Sequence, residues 1–504
     1  MTGPVEFDLS VLAPIGFVAI GAMVVLVAEV LLSRAATFLG RTLTKSYIGT
    51  LLAIISMFFL GLAFYVAFVA FLAGDGSVFL AANPMFQLDR FGAFVTVLLI
   101  LAAFLTCALS IANLAELRLN HGEFYALVLL STAGMMLLVG SVDLLTLFLG
   151  FELMSIPVYV LAGFDTKQLR SNESAIKYFV IGAFASAILL YGMALIYGVT
   201  GSTSYAGIRA AFDFASPMAI IGLGLVVVGF AFKFATVPFH QWAPDVYEGA
   251  PSAVVAFMSV AVKTAAFAAL MRLLVSAFGP QSDALGGLFW VIAALSMVVG
   301  NLMAVIQENV KRMLAYSSIA HAGYLLVGLV AADRAGYTAM VFYLAAYTFI
   351  NLGAFGVVIA MAQAGRDCER MASFTGLSRT RPGLAAAMAL FMFALAGIPG
   401  TAGFIAKFNI VMAAVHAEMI WLPLIVVITS VVSVFYYLRI PVLMYMREPA
   451  EETKWSKTAG AEVLVLFICA AAVLYFGILP NEGSLPLLNW AGESVQQFFR
   501  PEGR

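Results

Sequence analysis

The sequence predicts an all-α polytopic membrane protein of about fourteen transmembrane helices. Of its 504 residues, 63% are hydrophobic and only 11% charged, and the mean hydropathy is +1.03, a composition that no water-soluble core could use. Apolar runs of about 20 residues, the length needed to cross a roughly 30 Å hydrocarbon core, recur through nearly the whole chain. The short alternating segments of a membrane β-barrel are not seen in it.

Glycine, proline and charge punctuate the chain. The first run, 11–33, is too long for a signal-peptide core and has no positive region before it, so it reads as the first span and not a cleaved leader. Spans follow at 47–72, 90–113, 123–141, 143–163, 174–199, 217–238, 251–275, 286–306, 313–332, 337–363, 384–416, 419–446 and 460–480. The run at 384–416 is too long for one straight span and contains GIPGTAG, so it is read as one broken helix. The net charge of −1 and the lack of a basic arm give no sign of nucleic acid. Cys107, Cys368 and Cys469 are isolated, and no metal or redox site is implied.

Short cytoplasmic loops carry excess lysine and arginine. Arg34, Arg41, Lys45, Arg118, Lys167, Arg170, Lys311, Arg312, Arg366, Arg370, Arg379, Arg381, Arg447, Lys454 and Lys457 fall on one side. Arg90, Arg209, Arg272, Arg334, Arg500 and Arg504 fall on the other, which puts both termini away from the cytoplasm, on the periplasmic side of a bacterial inner membrane. Lys177, Lys233, Lys263, Lys407 and Arg439 are left inside spans. Arg439 lies near a span end and can snorkel. A cation at mid-membrane costs around 2.5–3.5 kcal/mol, so the four lysines together cost on the order of 10 kcal/mol. Glu152 is the one acid deep enough to match them, Glu29 and Asp143 lying nearer span ends.

These charges lie beside helix breakers. Pro238 cannot bond the carbonyl of Phe234, next to Lys233, and Pro157 cannot bond that of Leu153, next to Glu152. Gly397, Pro399, Gly400 and Gly403 interrupt the twelfth span ahead of Lys407. Irregular backbone at membrane depth is tolerated only inside protein or along water, which points to a hydrated path. Burial favours the neutral amine and a nearby carboxylate the ammonium, so moving the partner loads or unloads a proton.

Spacing suggests an internal repeat. Pro238 and Pro399 are 161 residues apart, SIP at 155–157 and SIA at 318–320 are 163 apart, and YFVIGAF at 178–184 is echoed 165 later by YLAAYTF at 343–349. Five spans is an odd number, so a second copy enters the membrane inverted. The resulting organisation is an N-terminal three-helix segment at 1–122, repeats at 123–275 and 286–446, and a loop, last span and tail at 447–504.

ESAIKYFVIGAFASAILLYGMALIYG (173–198), FKFATVPFHQWAPDVYEGAP (232–251), NVKRMLAYSSIAHAGYLLVG (309–328) and LAGIPGTAGFIAKF (395–408) make the chain similar to a known family. It resembles the antiporter-like membrane subunits of respiratory complex I, the proton-translocating NADH:quinone oxidoreductase, and among them the subunit N group. PDVYEGAP is the most specific stretch, Lys407 favours the subunit N group over M, and the sequence ends soon after span fourteen, unlike the L group. The resemblance implies an antiporter-like fold of two inverted five-helix repeats, with the seventh and twelfth spans broken. It implies a proton relay of Glu152, Lys233, Lys263, His321, Lys407 and Lys177. Lys177 also reads as an interfacial snorkeller, and His321 as a satisfied core histidine. No nucleotide loop, nucleophile with a base or cofactor ligand set is visible, so no cofactor is expected in this chain. The resemblance implies flavin mononucleotide, iron–sulfur clusters and quinone chemistry in partner subunits, which are the neighbouring membrane subunits and the NADH-oxidising arm. The rival readings are a subunit of a multisubunit cation/proton antiporter or membrane hydrogenase, and a spacer that moves no protons.

Overall fold

The structure, a computed structural model, describes residues 8–38, 45–74, 77–79, 84–279, 283–361, 369–448, 458–482 and 485–499. Arg41, Arg366, Cys368, Lys454, Lys457, Arg500 and Arg504, singled out above, lie outside the described residues. The described residues are mostly helical, and the strands among them form a short antiparallel hairpin of β1 (Ser77–Phe79) and β2 (Phe86–Leu88). The first six helices are α1 (Ala13–Phe38), α2 (Lys45–Ala73), α3 (Arg90–Glu116), α4 (Gly122–Val139), α5 (Leu144–Ala162) and α6 (Leu169–Thr200). A short α7 (Tyr205–Ala211) precedes α8 (Pro217–Phe234), and a short α9 (Trp242–Gly249) follows it. The eighth span is α10 (Ser252–Phe257) and α11 (Lys263–Leu273), joined by a π-helical turn and ended by another at Leu274–Phe278. Then come α12 (Asp283–Val305), α13 (Val310–Ala331), α14 (Arg334–Ala360), a one-turn α15 (Leu377–Thr380), α16 (Pro382–Ala396), α17 (Ala402–His416), α18 (Trp421–Met446), α19 (Gly460–Ile478) and α20 (Leu487–Val495).

Among the described residues, thirteen helical segments are long and apolar enough to cross a membrane. The shorter pair α16 and α17 occupies the place of the broken twelfth span, which completes the expected order. The chain is a multi-pass membrane protein. Large apolar side chains on α1, α2 and α6, such as Met23, Phe58 and Phe184, are exposed, as a lipid-facing helix requires, whereas α13 and α14 are buried almost throughout.

Packing divides the chain into two units, Met1–Phe230 with Ala261–Gly279, and Ala231–Val260 with Pro280–Arg504. In the first, α4 packs on α1, α5 and α11. Small residues let backbones meet there: a Cβ at Gly134 would lie 2.3 Å from the amide nitrogen of Met154, and one at Gly150 would lie 2.5 Å from that of Leu138. In the second, α14 packs on α16, α17 and α19, and α13 on α12 and α9.

Acids near span ends turn out to start helices. Asp89 caps α3 by accepting from Gly92 N (2.7 Å), and Asp143 caps α5 by accepting from Leu145 N (2.8 Å) and also takes the Thr203 hydroxyl (2.6 Å). Asp143 is thereby a structural acid. Arg272, placed among the loop charges on sequence grounds, is fully buried in the last turn of α11. Its guanidinium bonds both Asp89 oxygens at 2.6 Å and the Val139 carbonyl at 2.8 Å, and lies 5.4 Å from the Phe91 ring. Positive-inside counting misreads such a residue because it registers position along the chain and not the partner.

Removing one member of a buried pair strands the other. Arg272→Met is expected to cost about 3–5 kcal/mol, and Arg272→Met with Asp89→Asn, which keeps a cap on α3 without the charge, to recover much of it. Thermal unfolding of the purified protein in detergent measures both, and an unchanged Tm in Arg272→Met would refute the assignment.

Candidate functional site

Lys233, Lys263, His321 and Lys407 are all buried, at 3%, 3%, 4% and 7% exposure. Each is delivered by a helix that is interrupted or packed among hydroxyls.

α8 ends at Phe234, one residue after Lys233, and Ala235 turns into the left-handed region at φ +56°. The turn satisfies the carbonyls it frees. Ala231 O accepts from Thr236 N (3.0 Å) and the Thr236 hydroxyl (3.1 Å), and Phe232 O accepts from Ala235 N (3.0 Å) and the Trp242 indole (3.0 Å). The seventh span is thus interrupted at Phe234, four residues ahead of Pro238, which has no N–H to bond the Phe234 carbonyl. Lys233 sits in the last turn, the end of a helix dipole that favours a cation, with its ammonium 5.7 Å from the Phe232 ring.

The PDVYEGAP stretch is α9 and the turn after it. Arg312 donates to Asp245 (2.8 Å) and Glu248 (3.0 Å), and Lys311 donates to the Ala250 carbonyl (2.8 Å) and Glu369 (3.0 Å). Both cations, read from sequence as topology charges, clamp this segment to the start of α13.

Lys407 lies on the second half of the broken span. α16 ends at Ala396, Gly397 takes φ +85° and Gly400 φ +87°, and Thr401 caps α17. Gly397 N and Ile398 N fold back on the Phe393 carbonyl (both 3.0 Å), and the Lys407 ammonium donates to the Ala396 carbonyl at 3.0 Å. The lysine caps the preceding half-helix at its negative end. Two glycines make the fit possible. A Cβ at Gly397 would lie 3.0 Å from Lys407 Cδ, and one at Gly403 would lie 1.8 Å from the Ala394 carbonyl oxygen.

His321, midway along α13, is bonded at both ring nitrogens: Nδ1 to the Tyr343 hydroxyl (2.6 Å) and Nε2 to that of Tyr437 (3.1 Å). Tyr437 also bonds Ser317, and its ring lies 4.3 Å from that of Tyr436. The Tyr436 hydroxyl donates to Asn301 Oδ1 (2.9 Å), and Asn301 Nδ2 donates to the Tyr324 hydroxyl (3.1 Å). The Lys407 ammonium stands 5.1 Å from the centre of the Tyr324 ring. A line of polar groups thus leads from Tyr343 through His321 to Lys407, all within one unit.

With the geometry in place, the chain can be set beside known proteins. Residues 141–433 match the family described as NADH:quinone oxidoreductase/Mrp antiporter, TM. The NADH-quinone oxidoreductase subunit N of Trichlorobacter lovleyi is 45% identical over 431 residues, covering 85% of this chain and 88% of that protein. The chain belongs to this family, in its subunit N branch. Subunit N 1 of Herpetosiphon aurantiacus is 42% identical over 487 residues, covering 94% and 95%. Among solved structures, a chain of respiratory complex I from Thermus thermophilus with bound aureothin is 33% identical, with a TM-score of 0.76 over 93% of this chain and 97% of that one. A chain of the Mrp complex from a Dietzia species has a TM-score of 0.85 over 98% of both chains at 23% identity, which shows a shared fold alone.

In this subunit N family member the remaining expected residues lie in the first unit. Lys263 directly follows the π-helical turn Met258–Val262, a local widening that recurs at functional sites. Glu152 on α5 keeps Oε1 buried with no hydrogen-bond partner among the described residues. Pro157 leaves α5 unbroken through Ala162, because one missing bond does not end a helix. Lys177 pairs with Glu173 one turn away (2.7 Å) and its side chain is 41% exposed, the geometry of a surface pair. The hydroxyls and amide that line the path, Tyr324, Tyr343, Tyr436, Tyr437 and Asn301, were not legible in the sequence, since tyrosine and asparagine inside apolar runs look like packing.

The glycines of the break differ in what a methyl would meet. Gly403→Ala drives a Cβ into backbone and is expected to be the most destabilising, Gly397→Ala carries positive-φ strain of about 1–3 kcal/mol and displaces the lysine stem, and Gly400→Ala carries the strain alone. Thermal unfolding ranks the three, and equal values would refute the reading.

Proposed function

We propose that this chain is a proton-translocating membrane subunit of an NADH:quinone oxidoreductase, moving protons through a relay of Glu152, Lys233, Lys263, His321 and Lys407 while electrons pass in partner subunits. The observation that carries the reading is His321: both ring nitrogens hold a tyrosine hydroxyl, so a proton gained at one nitrogen can be lost at the other, and the line beyond it leads to the Lys407 ammonium. Lys407 bonds a neutral carbonyl, so it is free to change charge without stranding a carboxylate.

In this reading the partners are neighbouring antiporter-like subunits and, through them, the NADH-oxidising arm, where flavin mononucleotide, iron–sulfur clusters and quinone chemistry reside. The chain sits in the bacterial inner membrane with both termini on the periplasmic side. The excess of lysine and arginine in the loops on the opposite side supports that orientation. The cation/proton antiporter reading draws on the fold likeness to the Mrp chain, and that likeness extends to fold only.

The rate of NADH-driven proton transport, measured in inverted membrane vesicles, is the test. Lys407→Ala and Glu152→Gln are each expected to slow transport by on the order of 10², the lower range for a positioned proton-transfer group. Tyr437→Phe, which removes the hydroxyl beside His321 and keeps the ring, is expected to slow it by a smaller factor. Full transport in both Lys407→Ala and Glu152→Gln would overturn the proposal.

A further inference from the structure

Two carboxylates and an imidazole from distant parts of the sequence converge at one end of the first unit. Glu29 comes from the last third of α1, His121 is the residue that caps α4, and Glu123 lies in the first turn of α4. One ligand atom from each lies within 4.8 Å of the others, and His121 Nδ1 stands 4.0 Å from Glu29 Oε1. Among the described residues, neither carboxylate has a lysine or arginine within 4.0 Å; Glu29 is half-buried, Glu123 is exposed, and the two carboxyl groups are in hydrogen-bond contact. The close approach rests on Gly122, between the two α4 ligands. A Cβ there would lie 2.6 Å from Glu29 Oε2. The three side chains line a cavity of about 620 Å³ whose rim carries the exposed Arg118 and Lys167.

We propose that Glu29, His121 and Glu123 bind a divalent transition cation of the zinc type, with water from the cavity completing the coordination. Zinc takes nitrogen and oxygen ligands at about 2.0–2.2 Å in tetrahedral arrangement, so the three atoms must draw together by about an ångström, which the exposed Glu123 carboxylate can supply by rotation. Two carboxylates cancel the charge of the ion, and the imidazole selects against magnesium and calcium, which prefer oxygen alone. A bound ion would tie α1 to the start of α4, which already pack together. Arg118 and Lys167 are the groups that compete, since either can reach toward the carboxylates when no metal is bound. The site is independent of the relay, so its test does not depend on proton transport.

The test is equilibrium dialysis of radioactive Zn²⁺ against the purified complex containing the full chain, after treatment with a chelator. Wild type is expected to bind one more Zn²⁺ per chain than His121→Ala, and the affinity of this ion to fall at least about tenfold in His121→Ala and in Glu123→Gln. His416→Ala is expected to retain it, and excess Mg²⁺ not to displace it. Glu123 is exposed, so Glu123→Gln decides the matter even where His121→Ala does not assemble. Equal zinc stoichiometry and affinity in wild type and Glu123→Gln would overturn the proposal, as would displacement by Mg²⁺.

Discussion

Six cations of this bundle are held by carbonyls at or just past the ends of other helices. Lys407 bonds Ala396 at the end of α16, Arg272 bonds Val139 at the end of α4, Arg381 bonds Ala360 at the end of α14, and Lys311 bonds Ala250 just past α9. Arg439 does the same for Gln307 beyond α12, and Arg90 for Phe71 in the last turn of α2. Hydrocarbon offers no water to a helix end or to a charge, and each leaves a need the other meets. Breaking a span creates such an end in the middle of the bundle, and that is where Lys407 is placed.

What separates Lys407 from the other cations is the second partner. Arg272 adds Asp89, Lys311 adds Glu369, and Arg312 holds Asp245 and Glu248, so each is fixed in its charged form by a carboxylate that would otherwise be stranded. Lys407 has a carbonyl and the face of a tyrosine. Both attract an ammonium, and neither is left charged when the ammonium becomes an amine. The same contrast explains why the surface pair Lys177–Glu173 carries little weight beside the buried groups.

Much of this was legible in the sequence because hydrophobic length and charge placement are one-dimensional signals. Among the described residues thirteen spans stand in their expected order with α16 and α17 in the place of the twelfth, and GIPGTAG marked the break ahead of Lys407, since only glycine tolerates φ near +85° with a lysine stem against it. Proline misled at Pro157, which sits within an unbroken helix, whereas the seventh span is interrupted at Phe234, four residues ahead of Pro238. Partners across the fold were not legible at all. Asp89 and Arg272 are 183 residues apart, as are few pairs that a local reading would join, and Glu29 meets His121 only because α1 packs on α4.

In the proposed relay the two tyrosine partners of His321 also impose an order in time. A proton that arrives at Nδ1 and departs from Nε2 leaves the imidazole in the opposite tautomer, with its remaining hydrogen aimed back at Tyr343. The rings of Tyr324, Tyr343 and Tyr347 pack around the imidazole within 5.1–5.8 Å and oppose its turning over. In the proposed relay such a group is a ratchet and not a wire: it passes one proton and is then closed until the ring turns over or a proton returns to restore the tautomer, since rotation of the neighbouring hydroxyls leaves the ring hydrogen on Nδ1.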